Sequence, residues 1–314
     1  MTKISIVSPV YGAPDSVKEL AQRLTDTLKK LVGSDFEIIL VNDGCPMGSW
    51  NHIRQVIETN EYVVGINLSK NFGQHNAIAA GLSKAKGDWV VVMDCDLQDL
   101  PEEIPKLFNA TLAGYDVVFG RRVFRESSFF KKLSSKIFYK VYDYLTGFET
   151  DHSIANFSVI SRKVVDSYIQ MPEQHRPYSY FINWLGYKRT NIDIEHAKRV
   201  HGKSAYTFKK LLDFAIDSII SQTNRPLKIA VKLGFTFSFT SFIFGLFLIF
   251  KWAMGGIVEG WTSVMVSIFF ATGILLANLG LVGLYIGKVF DEVKKRPVFI
   301  ISETVSQARS NKPN

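Results

Sequence analysis

The chain has 314 residues, 47% of them hydrophobic, with 37 Lys and Arg against 29 Asp and Glu, giving a formal net charge of +8. This composition excludes a disordered chain and is enough for one or two domains with real cores. The positive balance suits an anionic partner such as phosphate, a membrane surface or nucleic acid, and the two cysteines, Cys45 and Cys95, make no disulfide framework.

From the N-terminus to about residue 120, strand-like and helix-like patterns alternate. Ile4–Val10 reads as a strand. Ser16-x-x-Glu19 matches a capping box, and Val17, Leu20, Ala21, Leu24, Leu28 and Leu31 follow at helical spacing. Phe36–Val41, Tyr62–Leu68, Trp89–Met93 and Asp116–Phe119 read as further strands, with helical stretches near Gln74–Ala85 and Glu102–Ala113 between the later ones. Such alternation predicts a parallel sheet covered on both faces, with ligands bound beyond the carboxyl ends of its strands. The polar residues at those ends are Tyr11, Asp43, Lys70 with Asn71, Asp94 with Asp96, and Arg121 with Arg122. Cys45 and Cys95 follow strands on the same edge and are expected to lie near each other as reduced thiols in a cytosolic setting. The first ten residues, broken by Ser5, Ser8 and Pro9, do not read as a signal peptide.

Beyond Pro226 the character changes. Residues 229–250 and 264–286 are almost wholly apolar, each about 22 residues or roughly 33 Å long, enough to cross a bilayer core. Arg225 and Lys228 precede the first stretch, and Lys288, Lys294, Lys295 and Arg296 follow the second, while the short loop between carries only Lys251 and Glu259. The positive-inside rule therefore puts both flanks, both termini and the N-terminal half in the cytoplasm, as a multi-pass protein of the inner membrane. Gly283-x-x-x-Gly287 could form a helix-packing face. Between the halves, Phe208, Leu211, Leu212, Ala215, Ile216, Ile219 and Ile220 share one face of the stretch Tyr206–Thr223, which reads as an interfacial helix on the membrane or as an ordinary amphipathic helix. The expected division is a domain over 1–204, a juxtamembrane region over 205–226, two spans within 227–287, and a C-terminal tail over 288–314 with a frayed end from Glu303.

Chemistry concentrates in Met93-Asp-Cys-Asp-Leu-Gln-Asp99, where a buried strand delivers Asp94 and Asp96 to its carboxyl end with Gln98 following. Oxygen ligands of this kind suit a hard divalent cation carrying a diphosphate. Alone, Asp-x-Asp equally describes a solvated turn. Its convergence with Asp43, Lys70, Arg121 and Arg122 favours the metal reading. Neither a P-loop nor G-x-G-x-x-G is present.

These stretches, with Ser8-Pro-Val-Tyr11, Val41-Asn-Asp43-Gly44, Leu68-Ser-Lys-Asn-Phe-Gly-Gln74, Gly114-Tyr-Asp-Val-Val-Phe-Gly-Arg-Arg122, Arg199-x-x-Gly202-x-Ser204-x-Tyr206 and Asp291-Glu-Val-Lys-Lys-Arg-Pro297, resemble the polyisoprenyl-phosphate glycosyltransferases of glycosyltransferase family 2 over nearly the whole chain. The resemblance implies a GT-A domain, a Rossmann-like α/β fold with a mostly parallel sheet. It implies inverting transfer of a sugar from a nucleotide sugar, UDP rather than GDP, to a polyprenyl phosphate, with Mg2+ or Mn2+ as cofactor. Pro9, Tyr11, Asp43, Lys70, Asp94 and Cys95 would surround the nucleotide, Asp43 accepting from the base. Asp94, Asp96 and Gln98 would hold the metal, and Asp96, Arg121 and Arg122 would serve catalysis. Arg125, Lys131, Ser135, Arg199, Lys203 and Ser204 are candidates for the acceptor phosphate, in a segment where Lys132, Lys136 and Lys140 interleave with Phe129, Phe130, Phe138 and Tyr139. Relatives also suggest a homo-oligomer, a tetramer among the options. Nucleic acid is excluded as a partner because the basic residues flank lipid-facing elements.

The sequence departs from the family pattern in three places. Ala155-Asn156-Phe157 stands where many relatives have Gly-Asp-Phe, Gly12-Ala13 replaces Asn-Glu, and Ala205 replaces a basic residue. Either the relatives' Asp positions the acceptor rather than acting as a base, or Asp151 substitutes, or activity is lost. His152, His175, Arg176 and Tyr178 occupy the segment that should face the sugar. A processive polysaccharide synthase is a competing reading, but its Gln-x-x-Arg-Trp is missing and two spans are few for threading a polymer. A membrane scaffold retaining the fold is the non-enzymatic alternative.

Overall fold

The computed structural model describes residues 3–122, 140, 143–145, 154–195, 197, 219–221, 223–254 and 260–307. In chain order these form β1 (Ile4–Val10), α1 (Ser16–Val32), β2 (Phe36–Asn42), α2 (Ser49–Thr59), β3 (Val63–Leu68), α3 (Gln74–Lys84), β4 (Trp89–Val92), a 3-10 turn (Pro101–Glu103), α4 (Ile104–Thr111), β5 (Val117–Arg122), β6 (Ile154–Ser161), α5 (Arg162–Ile169), α6 (Tyr178–Trp184), β7 (Arg189–Ile194), α7 (Arg225–Ala253), α8 (Trp261–Val293) and β8 (Ile301–Ser306). Contacts divide the chain into a sheet-bearing unit, Met1–Ser127 with Asp151–Ala205 and Arg296–Asn314, and an apolar unit, Ser128–Thr150 with Tyr206–Lys295.

The sheet has eight strands in the order β7-β5-β6-β4-β1-β2-β3-β8. β4, β1, β2 and β3 are parallel neighbours, as are β5 and β7. β6 runs antiparallel between β4 and β5, and β8 runs antiparallel to β3. The central strands are near-continuous Val, Ile and Leu because both faces are covered, and successive side chains feed opposite cores. Ile4, Ile6, Ile38, Leu40 and Val91 pack under α1, α2 and α4. Val7, Ile39, Val41, Val90 and Val92 pack under α3, α5 and α6. Gly81 lets α3 come down on this second face, since a Cβ there would sit 2.4 Å from Val7 Cγ1 and 3.1 Å from Val41 Cγ2.

Three expectations are corrected. First, no capping box forms at α1. Asp15 precedes the helix without a side-chain cap, and the Ser16 hydroxyl instead donates to the Cys95 carbonyl at 2.7 Å and the Ala13 carbonyl at 2.9 Å. The hydroxyl ties the helix to the Asp94–Asp96 loop, while Glu19 pairs with Arg23. Second, β5 continues through Arg122, because Arg121 and Arg122 remain in register with Asp193 and Ile194 of β7. Third, the residues from Glu303 do not begin a frayed end. Ile301–Ser306 add a strand to the edge of the sheet, and Glu303 accepts from Trp50 Nε1 and Arg54 Nη2, both at 3.2 Å. Its alternating exposure is that of an edge strand with one face on the core.

In the apolar unit, α7 and α8 contain stretches of 27 and 31 residues that are long and apolar enough to cross a membrane. Phe237 and Phe270 meet across the pair with ring centroids 6.0 Å apart. Gly283 and Gly287 have no heavy atom within 4 Å of where a Cβ would be. Of the expected interfacial helix over 206–223, only 219–221 and 223 are described, the first three being helical.

Gly81→Ala tests the packing of α3. Overpacking against the β-branched Val7 costs about 1–3 kcal/mol, against a helix-propensity gain of up to about 1 kcal/mol. The expected result is a melting temperature lowered by roughly 5 °C.

Candidate active site

The carboxyl ends of β1, β2, β3 and β4 carry four loops that lock onto one another through backbone groups. After β2, Asp43 is only 2% exposed. Its Oδ1 accepts from Phe72 N–H at 2.7 Å and its Oδ2 from Gly73 N–H at 3.0 Å, so the carboxylate sits on the N-terminal approach to α3. The Asp43 carbonyl accepts from Asn71 Nδ2 at 3.1 Å. Gly44, at φ 59°, lets the loops touch: a Cβ there would lie 2.4 Å from Asn71 N. Burial pushes the Asp43 carboxyl above its ordinary range, although the two N–H donors pull it down. The loop after β3 carries the exposed Lys70, whose Nζ stands 5.1 Å from the Phe72 ring centroid.

The turn after β1 lies between the two cysteines. Gly12 N–H donates to Cys45 Sγ at 3.3 Å, and the adjacent Tyr11 N–H donates to Cys95. Both thiols are free. They meet consecutive amides of one turn because β1 separates β2 from β4. The Tyr11 side chain above them is 54% exposed.

The loop after β4 concentrates charge. Asp94 Oδ1 accepts from Gln74 Nε2 at 2.6 Å. Asp96 Oδ1 accepts from Gln98 N–H at 3.2 Å across Leu97, whose φ of 60° is uncommon for a residue with a branched side chain. The Gln98 carbonyl accepts from Ala197 N–H at 3.0 Å. Asp99 is wholly buried, and both its oxygens accept from Arg122 Nη2, at 3.0 and 3.1 Å. Arg121, next along β5, instead pairs with the exposed Asp193 of β7 at 2.5 Å. Burial, then the charges of Asp99 and Asp96, push the Asp94 carboxyl up to about 7, with Arg122 and Gln74 working in the other direction.

A divalent cation fits this donor set. Asp94 and Asp96 supply hard oxygen donors, and a cation would relieve the repulsion that raises Asp94. Among the described residues, no group of three or more His, Cys, Asp or Glu could by itself hold a metal. Two carboxylates completed by substrate phosphate and water is the arrangement Mg2+ usually takes.

The structure thus places Pro9, Tyr11, Asp43, Lys70, Asp94, Cys95, Asp96, Gln98, Arg121 and Arg122 at or just beyond the carboxyl ends of β1 to β5, with β6 between β4 and β5. Arg125, Lys131, Ser135, Arg199, Lys203 and Ser204 lie outside the described residues, as do Asp151 and His152. Asn156 lies on β6, its carbonyl accepting from Ser158 Oγ at 2.9 Å. Four contributors have no role in the sequence reading: Gln74, His75, Asp99 and Asp193. Gln74 and Asp99 fall inside quoted motifs, yet their partners lie 20 and 23 residues away and no periodicity reports such pairs. His75 accepts the Tyr178 N–H on Nδ1 at 3.1 Å, joining α3 to α6. Tyr178 in turn shares a 2.8 Å hydrogen bond with Ser158 of β6.

Residues 5–169 match the family model described as glycosyl transferase family 2. The chain belongs to glycosyltransferase family 2. This glycosyltransferase is 36% identical over 303 residues to an uncharacterized glycosyltransferase of Synechocystis sp., covering 96% of this chain and 95% of that one. It is 32% identical over 313 residues to the undecaprenyl-phosphate 4-deoxy-4-formamido-L-arabinose transferase of Photorhabdus laumondii, covering 98% and 96%. Among solved structures, glucosyl-3-phosphoglycerate synthase from Mycobacterium tuberculosis, with Mn2+, UDP and phosphoglyceric acid, aligns over 71% of this chain and 78% of that one at a TM-score of 0.49 and 16% identity.

Two predictions follow from the electrostatics of this glycosyltransferase. An acid raised in the fold is penalised where it must ionise, so Asp94→Asn, which keeps an acceptor for Gln74, removes that penalty above neutral pH. With chelator at pH 8, the variant is expected to melt roughly 5 °C above the wild type, a gap that closes below about pH 4. His75 has the opposite sign. Burial, then the neighbouring His175, push its imidazole down to about 4 from 6.5, so it folds neutral and its stability contribution is lost as pH falls from 6.5 to 4. That contribution is about 3 kcal/mol when complete. Thermal unfolding between pH 7.5 and 4.5 should therefore fall more steeply for the wild type than for His75→Gln.

Proposed function

We propose that this glycosyltransferase moves a sugar from a nucleoside diphosphate, UDP rather than GDP, onto a polyprenyl phosphate such as undecaprenyl phosphate at the cytoplasmic face of a membrane, inverting the anomeric centre. The observation that carries this reading is the crowd of Asp94, Asp96 and Asp99 beside Arg122, at the strand ends of a chain that also holds two membrane-length helices. The near full-length likeness to undecaprenyl-phosphate transferases supports the acceptor.

In this reading Pro9, Tyr11, Asp43, Lys70, Asp94 and Cys95 surround the nucleotide. Asp43 acts at one remove as well, because its carboxylate fixes the 70–73 loop and hence Lys70. Asp94, Asp96 and Gln98 would hold Mg2+ or Mn2+, which when bound supplies positive charge to the diphosphate. Arg122, oriented by Asp99, faces the charge that develops on the leaving oxygen, and Arg121 adds a second cation. An oxygen of the lipid phosphate attacks the anomeric carbon as the carbon–oxygen bond to the nucleoside diphosphate breaks. A phosphate monoester has its second pKa at about 6 and is largely dianionic at neutral pH, so the attack needs no strong base. An amide at Asn156 is compatible with that chemistry. Arg125, Lys131, Ser135, Arg199, Lys203 and Ser204 are the candidates for the lipid phosphate. The domain bounds, the cytoplasmic termini and a homo-oligomeric assembly, with a tetramer among the options, are further parts of the same proposal.

The test incubates the full-length protein in detergent with undecaprenyl phosphate, Mg2+ or Mn2+ and a panel of UDP- and GDP-sugars, and follows lipid product by mass spectrometry. A sugar-phosphate lipid is expected from the wild type, with Asp96→Ala slower by about 100-fold or more. Failure to bind any nucleotide or metal would overturn the transferase chemistry.

A further inference from the structure

Away from the strand ends, a cavity of about 310 Å³ opens beside α3 and the loop that follows α5. That volume is at the lower end for small-molecule sites. Arg176 and Arg296 line it, with Gln174 and Ser83, and Ile169 and Phe299 are among its apolar wall. No Asp or Glu is among the lining residues. Arg176 is only 6% exposed. Its Nη1 donates to the carbonyls of Met171 at 2.8 Å and Tyr168 at 3.3 Å, while its buried Nε has no acceptor. Its guanidinium carbon also lies 5.4 Å from the Tyr168 ring centroid. Carbonyls and a ring soften the burial of this cation without neutralising it, and a guanidinium N–H left unpaired is costly. The cavity therefore offers one enclosed and one exposed guanidinium beside an apolar wall.

The sequence places that wall. Arg296 stands three residues after α8 ends, and Gln174 Nε2 donates to its carbonyl at 2.8 Å, fixing 296–299 to the sheet-bearing unit. Lys294 and Lys295 immediately precede it. Basic residues beside a span attract anionic head groups.

We propose that this cavity binds the phosphate head group of an anionic membrane phospholipid, with Arg176 and Arg296 as its cationic partners and Phe299 and Ile169 against the start of the acyl chain. The site uses none of the residues assigned above to nucleotide, metal or acceptor. It rests on α7 and α8 lying in a membrane, and not on the transfer chemistry.

The test uses native mass spectrometry of the full-length protein in detergent, titrated with phosphatidylglycerol or phosphatidylcholine. Phosphatidylglycerol is expected to be retained at least tenfold more tightly, and Arg296→Gln to lose about fivefold of that preference. Ser83→Trp, at the exposed rim, should block binding without touching either arginine, which keeps the test decisive if Arg176→Gln fails to fold. Inorganic phosphate at equal concentration should not displace the lipid, since it lacks the apolar part. Equal retention of both lipids, wild-type binding by both Arg296→Gln and Ser83→Trp, or displacement by inorganic phosphate would each overturn the assignment. Nucleotide binding, measured in parallel, reports on the transferase reading separately.

Discussion

The constraint on which the rest depends is that like charges must be held together at the edge of a low-dielectric sheet. Asp94, Asp96 and Asp99 fall within six consecutive positions of one loop, and the structure handles them differently. Asp99 is buried and neutralised by both of its contacts to Arg122. Asp94 is left raised, with Gln74 as a neutral donor. Removing Arg122 would take from the buried Asp99 the guanidinium that meets both its oxygens, so the Arg122 charge serves the fold before it serves a ligand. Leu97, between Asp96 and Gln98, takes a left-handed φ of 60°, a strain that persists only because the surrounding contacts hold the loop.

The neighbouring loops show the same economy of partners. Asp43 uses its two oxygens on consecutive amides ahead of α3, and α3 then presents Gln74 to Asp94 and His75 to Tyr178. The chain of contacts runs from β2 through α3 to β4 on one side and to α6 and β6 on the other. An anion on a helix approach is stabilised by the exposed amides and the helix dipole, which explains how a carboxylate with so little exposure persists there.

Much of the architecture was legible because burial writes itself into periodicity. The apolar runs of β1, β2 and β4 and the helical spacing of α1 are direct consequences of a sheet covered on both faces. The strand-end rule pointed to Asp43, Lys70, Asp94, Asp96, Arg121 and Arg122, each of which stands at or just beyond the carboxyl end of its strand. Pairings set by tertiary contact were not legible. Ser16 looked like a cap, yet its hydroxyl serves the Cys95 carbonyl, a partner 79 positions away. Asp99 fell inside a motif without a role of its own, yet it is the buried counterion of Arg122. β8 was missed because Ser302, Glu303 and Thr304 give a short polar strand whose stability comes from β3, Trp50 and Arg54.

That last strand lies in the third chain segment of the sheet-bearing unit. Residues of the apolar unit, including both long helices, are spliced into the chain between β7 and β8. During synthesis, β1 to β7 leave the ribosome first, but the edge beside β3 stays open until Ile301–Ser306 emerge. Unpaired strand edges of that kind invite pairing with other chains. Closure of this edge thus waits on completion of the two apolar helices, and β8, made after them, acts as its seal.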